Sequence, residues 1–336
     1  MITKTFYTPS HNLKRIREVM TVWTKNRHGS GGRRMMCLAL LFLLLAGCKA
    51  GQEEKSGQER LVRLDKLQQL PTGQVDPDSQ ALRIGVGAIL SPQGTVHSYQ
   101  PLIDYLGRKM GKPAILVQRK TYQELNDLLA RNVVDLGFIC TGAYAEDVKK
   151  EAVSLLVVPQ INGRTTYRAF VIVPAASPVR EFGDLRGKVF AFTDPLSNTG
   201  YLYPLFLLQS MGQQPETFFG RTIFTYSHDR SMAAVMEGIA DGASVDSLVY
   251  AFASKSNPEI SRQTKVIWES PDFGIPPVVV PRTISPALKA LLKKLLLGMH
   301  RDAEGKKALA ALGVERFVEP EPRLYDSKGR RPCLLP

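Results

Sequence analysis

From Leu82 onward the sequence alternates short, β-branched apolar runs with stretches whose apolar residues recur at helical spacing. Residues 82–89 (LRIGVGAI), 114–117 and 133–139 read as buried strands. Between them, Leu102, Ile103 and Leu106 mark a helix over 99–110, and Leu125, Leu128 and Leu129 mark a second over 122–130. Parallel strands need a crossover connection, usually a helix, so this order implies a doubly wound α/β sheet.

The pattern then repeats. Strands are expected at 154–158 and 167–173, and Pro174 and Pro178 follow the second. A new series comprises a strand at 188–193, a helix at 199–211, a strand at 221–225, a helix at 229–238, a strand at 243–245 and a helix at 247–253. Strands at 265–269 and 277–280 return to the first unit, which helices at 287–297 and 302–312 close. This divides the chain into lobe I (81–175 plus 266–320) and lobe II (176–265), followed by a basic tail (321–336). The expected fold is thus two doubly wound α/β lobes joined by a two-stranded hinge. Ligands of open α/β sheets bind beyond the carboxyl ends of strands, and two such ends across a hinge make a clamshell.

Ahead of the folded part, Arg33 and Arg34 precede the apolar run MMCLALLFLLLAG, which ends at Cys48. A basic n-region, a short apolar h-region and small residues before a cleavage point describe a secretory signal over 1–47. The run is too short to span a bilayer. Leu45-Ala46-Gly47-Cys48 resembles the bacterial lipobox, which implies diacylglycerol attachment at Cys48 and a lipid-anchored protein in the cell envelope facing the periplasm. Residues 1–34 are long for an n-region, and Met35 or Met36 offers an alternative start. Residues 48–80, rich in Gln, Glu, Gly and Ser, read as a flexible tether. Of the four cysteines only Cys140 and Cys333 then remain, and nothing in their spacing pairs them.

The net charge of +13 does not signal nucleic acid. Residues 1–47 alone contain eight Lys and Arg against Glu18, so the lobes are only mildly basic and lack a dense cationic stripe. The histidines (His11, His28, His97, His228 and His300) are scattered, with no HxxxH and no CxxC, so no metal is expected. Gly85-x-Gly87 lacks the third glycine of a dinucleotide fingerprint, and Gly183 to Lys188 is one residue short of a P-loop. No nucleophile and base pair stands out. The reading is therefore a non-enzyme without a cofactor.

Residues 192–204, FTDPLSNTGYLYP, run from a strand end into a helix start carrying Ser197, Asn198 and Thr199. Free N–H groups and positive helix polarity at such a point favour an oxyanion. The same residues are also ordinary N-caps. Tyr226-Ser227-His228-Asp229 opens another helix, and Cys140-Thr141-Gly142 follows the third strand. Tyr122 and Tyr167 each sit where a strand meets a loop or helix.

Together these blocks resemble the periplasmic phosphate/phosphite/phosphonate-binding proteins of ABC importers, over about residues 82–317. The carrying segments are LRIGVGAI, TYQELNDLLARNVVDLGFICTGAYAE, TTYRAFVIV, DLRGKVFAFTDPLSNTGYLYP, YSHDRSMAAVMEGIADGASVDS and VIWESPDFGIPPVVV. The most specific string is Asp194-Pro195-Leu196-Ser197-Asn198-Thr199-Gly200-Tyr201. The resemblance implies the type II periplasmic binding fold, with a tetrahedral phosphorus oxyanion held between the lobes by Ser197, Asn198 and Thr199. Asn198 stands where threonine is commoner. His228, Tyr122 and Tyr167 match the family's anion-contacting positions, and Thr141 lies at the same edge. Asp246 matches a polar cleft position, or simply caps the next helix. The implied partners are the anion, permease and ATPase subunits, and the membrane through the lipid, with the protein itself a monomer. The alternative is a ligand sensor signalling to a membrane partner. At the position where aminoethylphosphonate binders of the family place a carboxylate, this chain has Pro276, so the resemblance implies that phosphite, methylphosphonate or phosphate binds better than aminoethylphosphonate, unless Asp246 or Asp272 supplies the charge.

Overall fold

A computed structural model describes residues 81–325. The lipobox at Cys48, the signal segment 1–47, the tether and residues 326–336 with Cys333 lie outside them.

Lobe I is built on a six-stranded sheet. Its strands are β1 (Leu82–Val86), β2 (Ala114–Gln118), β3 (Leu136–Phe138), β4 (Val153–Gln160), β12 (Val278–Pro281) and β13 (Arg316–Val318), in spatial order β13-β4-β12-β3-β1-β2. Strands β1, β2 and β3 pair in parallel, while β12 inserts antiparallel between β3 and β4. Helices α1 (Pro92–Met110), α2 (Tyr122–Ala130) and α3 (Thr141–Lys149) follow the parallel strands. Helix α1 begins earlier than apolar spacing suggests. Ser91 accepts from the Gly94 N–H as N-cap and Pro92 takes the first position, a start that needs no apolar stripe. Helix α2 starts on a full capping box between Thr121 and Glu124.

Lobe II repeats the plan with five strands. They are β6 (Ala169–Pro174), β7 (Val189–Phe192), β8 (Arg221–Phe224), β9 (Gly242–Asp246) and β10 (Thr264–Glu269), in order β10-β6-β9-β7-β8. Its helices are α4 (Tyr203–Ser210), α5 (Pro215–Phe218), α6 (His228–Met236), α7 (Ser247–Ser256) and α8 (Glu259–Gln263). Helices α9 (Pro286–Gly298) and α10 (Ala303–Ala311) return to lobe I, where Leu292, Leu296 and Leu309 join the core of Leu82, Ile84 and Leu102. Lobe II is held by an aromatic core of Phe182, Phe190, Phe192, Phe218 and Phe219, with Phe190 stacked on Phe219 at 4.5 Å. Each such side chain contributes roughly 1.5–3 kcal/mol by leaving water. No helix among the described residues is long and apolar enough to cross a membrane.

The hinge is two-stranded, but it lies elsewhere than the proline punctuation suggests. Strands β5 (Thr166–Tyr167) and β11 (Phe273–Gly274) pair antiparallel between the two sheets. The strand at 169–174 therefore belongs to lobe II, where it pairs with β9, and 264–269 pairs with it there rather than returning to lobe I. The boundaries at 175 and 266 thus move to the β5 and β11 crossings. An apolar strand carries no mark of which sheet it completes, and the prolines follow a strand that has already crossed. The start of the basic tail is also fixed. Tyr325 is buried, donates its hydroxyl to the Ile275 carbonyl at 2.6 Å and meets Tyr144 edge-on.

Candidate functional site

The carboxyl ends of β3, β7 and β9 and the hinge converge on a closed cleft. After β7, Ser197 caps a wide turn, Asn198–Leu202, whose Tyr203 N–H reaches back five residues to the Asn198 carbonyl. Such wide turns concentrate at functional sites. Ser197 accepts from the Gly200 N–H at 3.0 Å. Gly200 is required because a Cβ there would lie 2.3 Å from the Thr193 hydroxyl. Ser197, Asn198 and Thr199 are fully buried. The Thr199 carbonyl accepts from the Ser244 hydroxyl at 2.6 Å, which anchors the turn to β9.

His228 opens α6 from a strained approach, since Tyr226 adopts a left-handed φ of 60°. Its Nδ1 accepts from the Asp246 N–H at 3.1 Å and lies 3.3 Å from the Thr193 hydroxyl. An accepting Nδ1 leaves the proton on Nε2, so the ring is a neutral donor. Burial lowers its pKa to about 4, which keeps it neutral.

Asp246 is the N-cap of α7. Its Oδ1 caps α7 by accepting from the Leu248 and Val249 N–H groups at 2.7 and 3.2 Å. The residue also lines the cleft cavity. Burial raises its carboxyl pKa to about 7 against the pull of those two bonds. From lobe I, Tyr122 is buried with its hydroxyl near Ser197 but in no hydrogen-bond geometry. The Tyr167 hydroxyl accepts from the Asn198 amide at 3.2 Å. Thr141 is buried and aimed at the hinge, donating to the Gly274 carbonyl at 2.8 Å. Cys140 lies between these groups and accepts the Asn198 N–H at 3.5 Å, and burial raises its thiol pKa to about 11.

What distinguishes this cluster is unmet hydrogen bonding. The Tyr122 hydroxyl, Thr199 Oγ1, Asn198 Oδ1 and Ser227 Oγ are all buried without a partner. Buried polar groups are normally paired, and each orphan costs about 1–3 kcal/mol. A half-turn of the Asn198 amide lets it accept from the Tyr167 hydroxyl and puts its N–H donors where the unpartnered oxygen stands. In the sequence Ser227 carries no signal beyond its place in the segment that opens a helix. It is the N-cap residue of α6, yet its hydroxyl makes no capping bond.

The lobes meet across the cleft through fixed contacts. The His228 N–H donates to the Ile89 carbonyl at 3.0 Å. Asp229 accepts from the Ser91 N–H at 2.9 Å, and Asp194 from the Tyr122 N–H at 3.1 Å. Two lobe II carboxylates thus face two lobe I helix starts, where negative charge is favoured. Gly142 permits the approach, because a Cβ there would lie 2.3 Å from the Leu196 carbonyl oxygen.

The topology agrees with what comparison shows. Residues 84–325 match the family model described as ABC transporter, phosphonate, periplasmic substrate-binding protein. The chain belongs to that family. It is 23% identical over 253 residues to the phosphonates-binding periplasmic protein of Escherichia coli, covering 74% of this chain and 75% of that one. Two solved structures share the fold. A binding protein component of an ABC phosphonate transporter from Pseudomonas aeruginosa has a TM-score of 0.68 and 23% identity, covering 73% of this chain and 82% of that one. PhnD1 from Prochlorococcus marinus, in complex with methylphosphonate, has a TM-score of 0.66 and 17% identity, covering 74% and 96%. The type II periplasmic binding architecture expected from the sequence is therefore present, with β2-β1-β3-β12-β4 and β8-β7-β9-β6-β10 as its two equivalent sheets.

Proposed function

We propose that this family member binds a tetrahedral phosphorus oxyanion in the closed cleft and hands it to the permease of an ABC importer, with no chemistry performed on it. The observation that supports this is the set of buried, unpartnered groups on Tyr122, Asn198, Thr199 and Ser227. With the His228 Nε2–H they form a neutral hydrogen-bonding cradle, and an oxyanion would supply the missing acceptors. Neutral dipoles can hold an anion tightly in a dry site without trapping it in an ion pair. Tyr167 acts on the cradle through Asn198, and Thr141 through the hinge.

Thermal shift with phosphate, phosphite, methylphosphonate, aminoethylphosphonate and sulfate tests the reading. A ligand at 100 times its Kd stabilises by about 2.7 kcal/mol, so at least one phosphorus compound should raise the Tm clearly. No response to any of them would sink the proposal. Lipid anchoring rests on Leu45-Ala46-Gly47-Cys48. Cys48→Ser should abolish metabolic fatty-acid labelling, and retained label would exclude that cysteine as the acceptor.

A further inference from the structure

Cys140 follows β3 in lobe I and is the N-cap residue of α3, yet its side chain makes no capping bond to that helix. It reaches across the cleft instead. Its Sγ accepts the backbone N–H of Asn198, in the wide turn of lobe II, at 3.5 Å. The start of α3 packs on the same peptide, since a Cβ on Gly142 would lie 3.0 Å from the Asn198 nitrogen. After burial, Cys140 is the largest influence raising the pKa of both the Tyr122 and the Tyr167 hydroxyl, ahead of Asp246 in each case. The sulfur therefore stands among the cradle groups, where the Tyr122 hydroxyl and Asn198 Oδ1 are buried without a partner.

A backbone N–H at the opening of a helical turn is the kind of donor that an oxyanion takes. Here it is held by sulfur, a weak acceptor. An anionic oxygen makes a shorter bond to such an N–H, roughly twice as strong. It displaces the sulfur, but the gain is reduced by the bond it breaks. Burial keeps the thiol pKa up at about 11, so the sulfur meets the anion as a neutral group and does not repel it as a thiolate would.

We propose that the Cys140 thiol competes with the oxyanion for the Asn198 N–H and so sets the affinity of the cradle. The inference rests on the cradle being an oxyanion site. When the lobes close without an anion, the thiol holds the N–H and ties lobe I to lobe II. When they close on an anion, an oxygen takes the N–H and the sulfur turns aside about its Cα–Cβ bond. Removing the sulfur takes an acceptor from the free protein and none from the complex. Affinity therefore rises while the free protein loses stability.

Calorimetric titration of the full chain with phosphate, phosphite and methylphosphonate tests it, comparing the wild type with Cys140→Ala. The variant removes no helix cap, because the thiol supplies none. One ordinary hydrogen bond corresponds to about three- to tenfold in an equilibrium constant, so the variant should bind its ligand tighter by that factor. Urea unfolding without anion should show it less stable than the wild type. A cysteine that only fills space would lower stability and weaken binding together. Unchanged or weaker binding by the variant would overturn the proposal. A second measurement needs no variant: on adding the anion that binds, the Asn198 amide proton of the wild type should move downfield as oxygen replaces sulfur, and an unmoved resonance would overturn the proposal as well. Failure of all three anions to bind either protein would instead remove the oxyanion reading itself, and this inference with it.

Discussion

Replacing Asp246 by asparagine separates two opposed ionisations at the centre of the cleft. Burial moves the Asp246 carboxyl from 3.8 to about 7 and the His228 ring from 6.5 to about 4. At about 1.36 kcal/mol per pH unit these correspond to roughly 4 and 3 kcal/mol. Between about pH 4 and 7 the folded protein keeps a proton on Asp246 that the unfolded chain has released, so this group's contribution falls as pH rises. Between about pH 4 and 6.5 the unfolded chain holds a proton that buried His228 refuses, so the histidine's contribution rises with pH. In the wild type the two largely cancel. Asparagine keeps an Oδ1 acceptor for the Leu248 and Val249 N–H groups and is as good an N-cap as aspartate. It has no charge to desolvate. The Asp246→Asn variant should therefore match the wild type near pH 4 and become more stable as pH rises, by up to roughly 4 kcal/mol above pH 7. Urea unfolding of the ligand-free protein at pH 4.5, 6, 7 and 8 measures this directly. A variant less stable at pH 8, or a difference of the same size at every pH, would refute the reasoning.

Further outcomes follow from the cradle and its closure. Thr199→Val removes an unpartnered buried hydroxyl, so oxyanion affinity should drop by about 1–3 kcal/mol by calorimetry, and unchanged affinity would place the anion elsewhere. Tyr122→Phe should leave ligand-free stability equal or slightly higher, because its hydroxyl has no partner to lose, while binding weakens; a large stability loss would show a hidden partner. Gly142→Ala sets a methyl group against the Leu196 carbonyl and should hold the lobes apart, weakening binding tenfold or more; native affinity and an unchanged scattering radius with ligand would show that the lobes do not close at this contact. Because Asp246 borders the cradle, the wild type should bind oxyanions more tightly at pH 6 than at pH 8, and Asp246→Asn should reduce that dependence; an equal dependence in both proteins would assign it to the ligand's own proton.

Much of this protein is legible in its sequence. Period changes along 82–139 mark a parallel α/β sheet, since a buried strand and an amphipathic helix each leave a local apolar pattern. The string from Asp194 to Tyr201 marks the turn of the proposed cradle, because it resembles the family's most specific motif. Tertiary structure alone decided the rest. Whether Ala169–Pro174 completes the first sheet or the second depends on its pairing with β9, some seventy residues later, and both sheets offer it the same apolar environment. Ser227 is as ordinary a cap as Ser91 in the sequence, yet Ser91 caps its helix and Ser227 is left without a partner at the cleft. The same holds for Asp194 and Asp229, which read as turn and helix-start residues until the closed lobes bring them to the helix starts opposite. Local patterns record what each segment must bury, but partnership across a hinge is settled only where the two lobes meet.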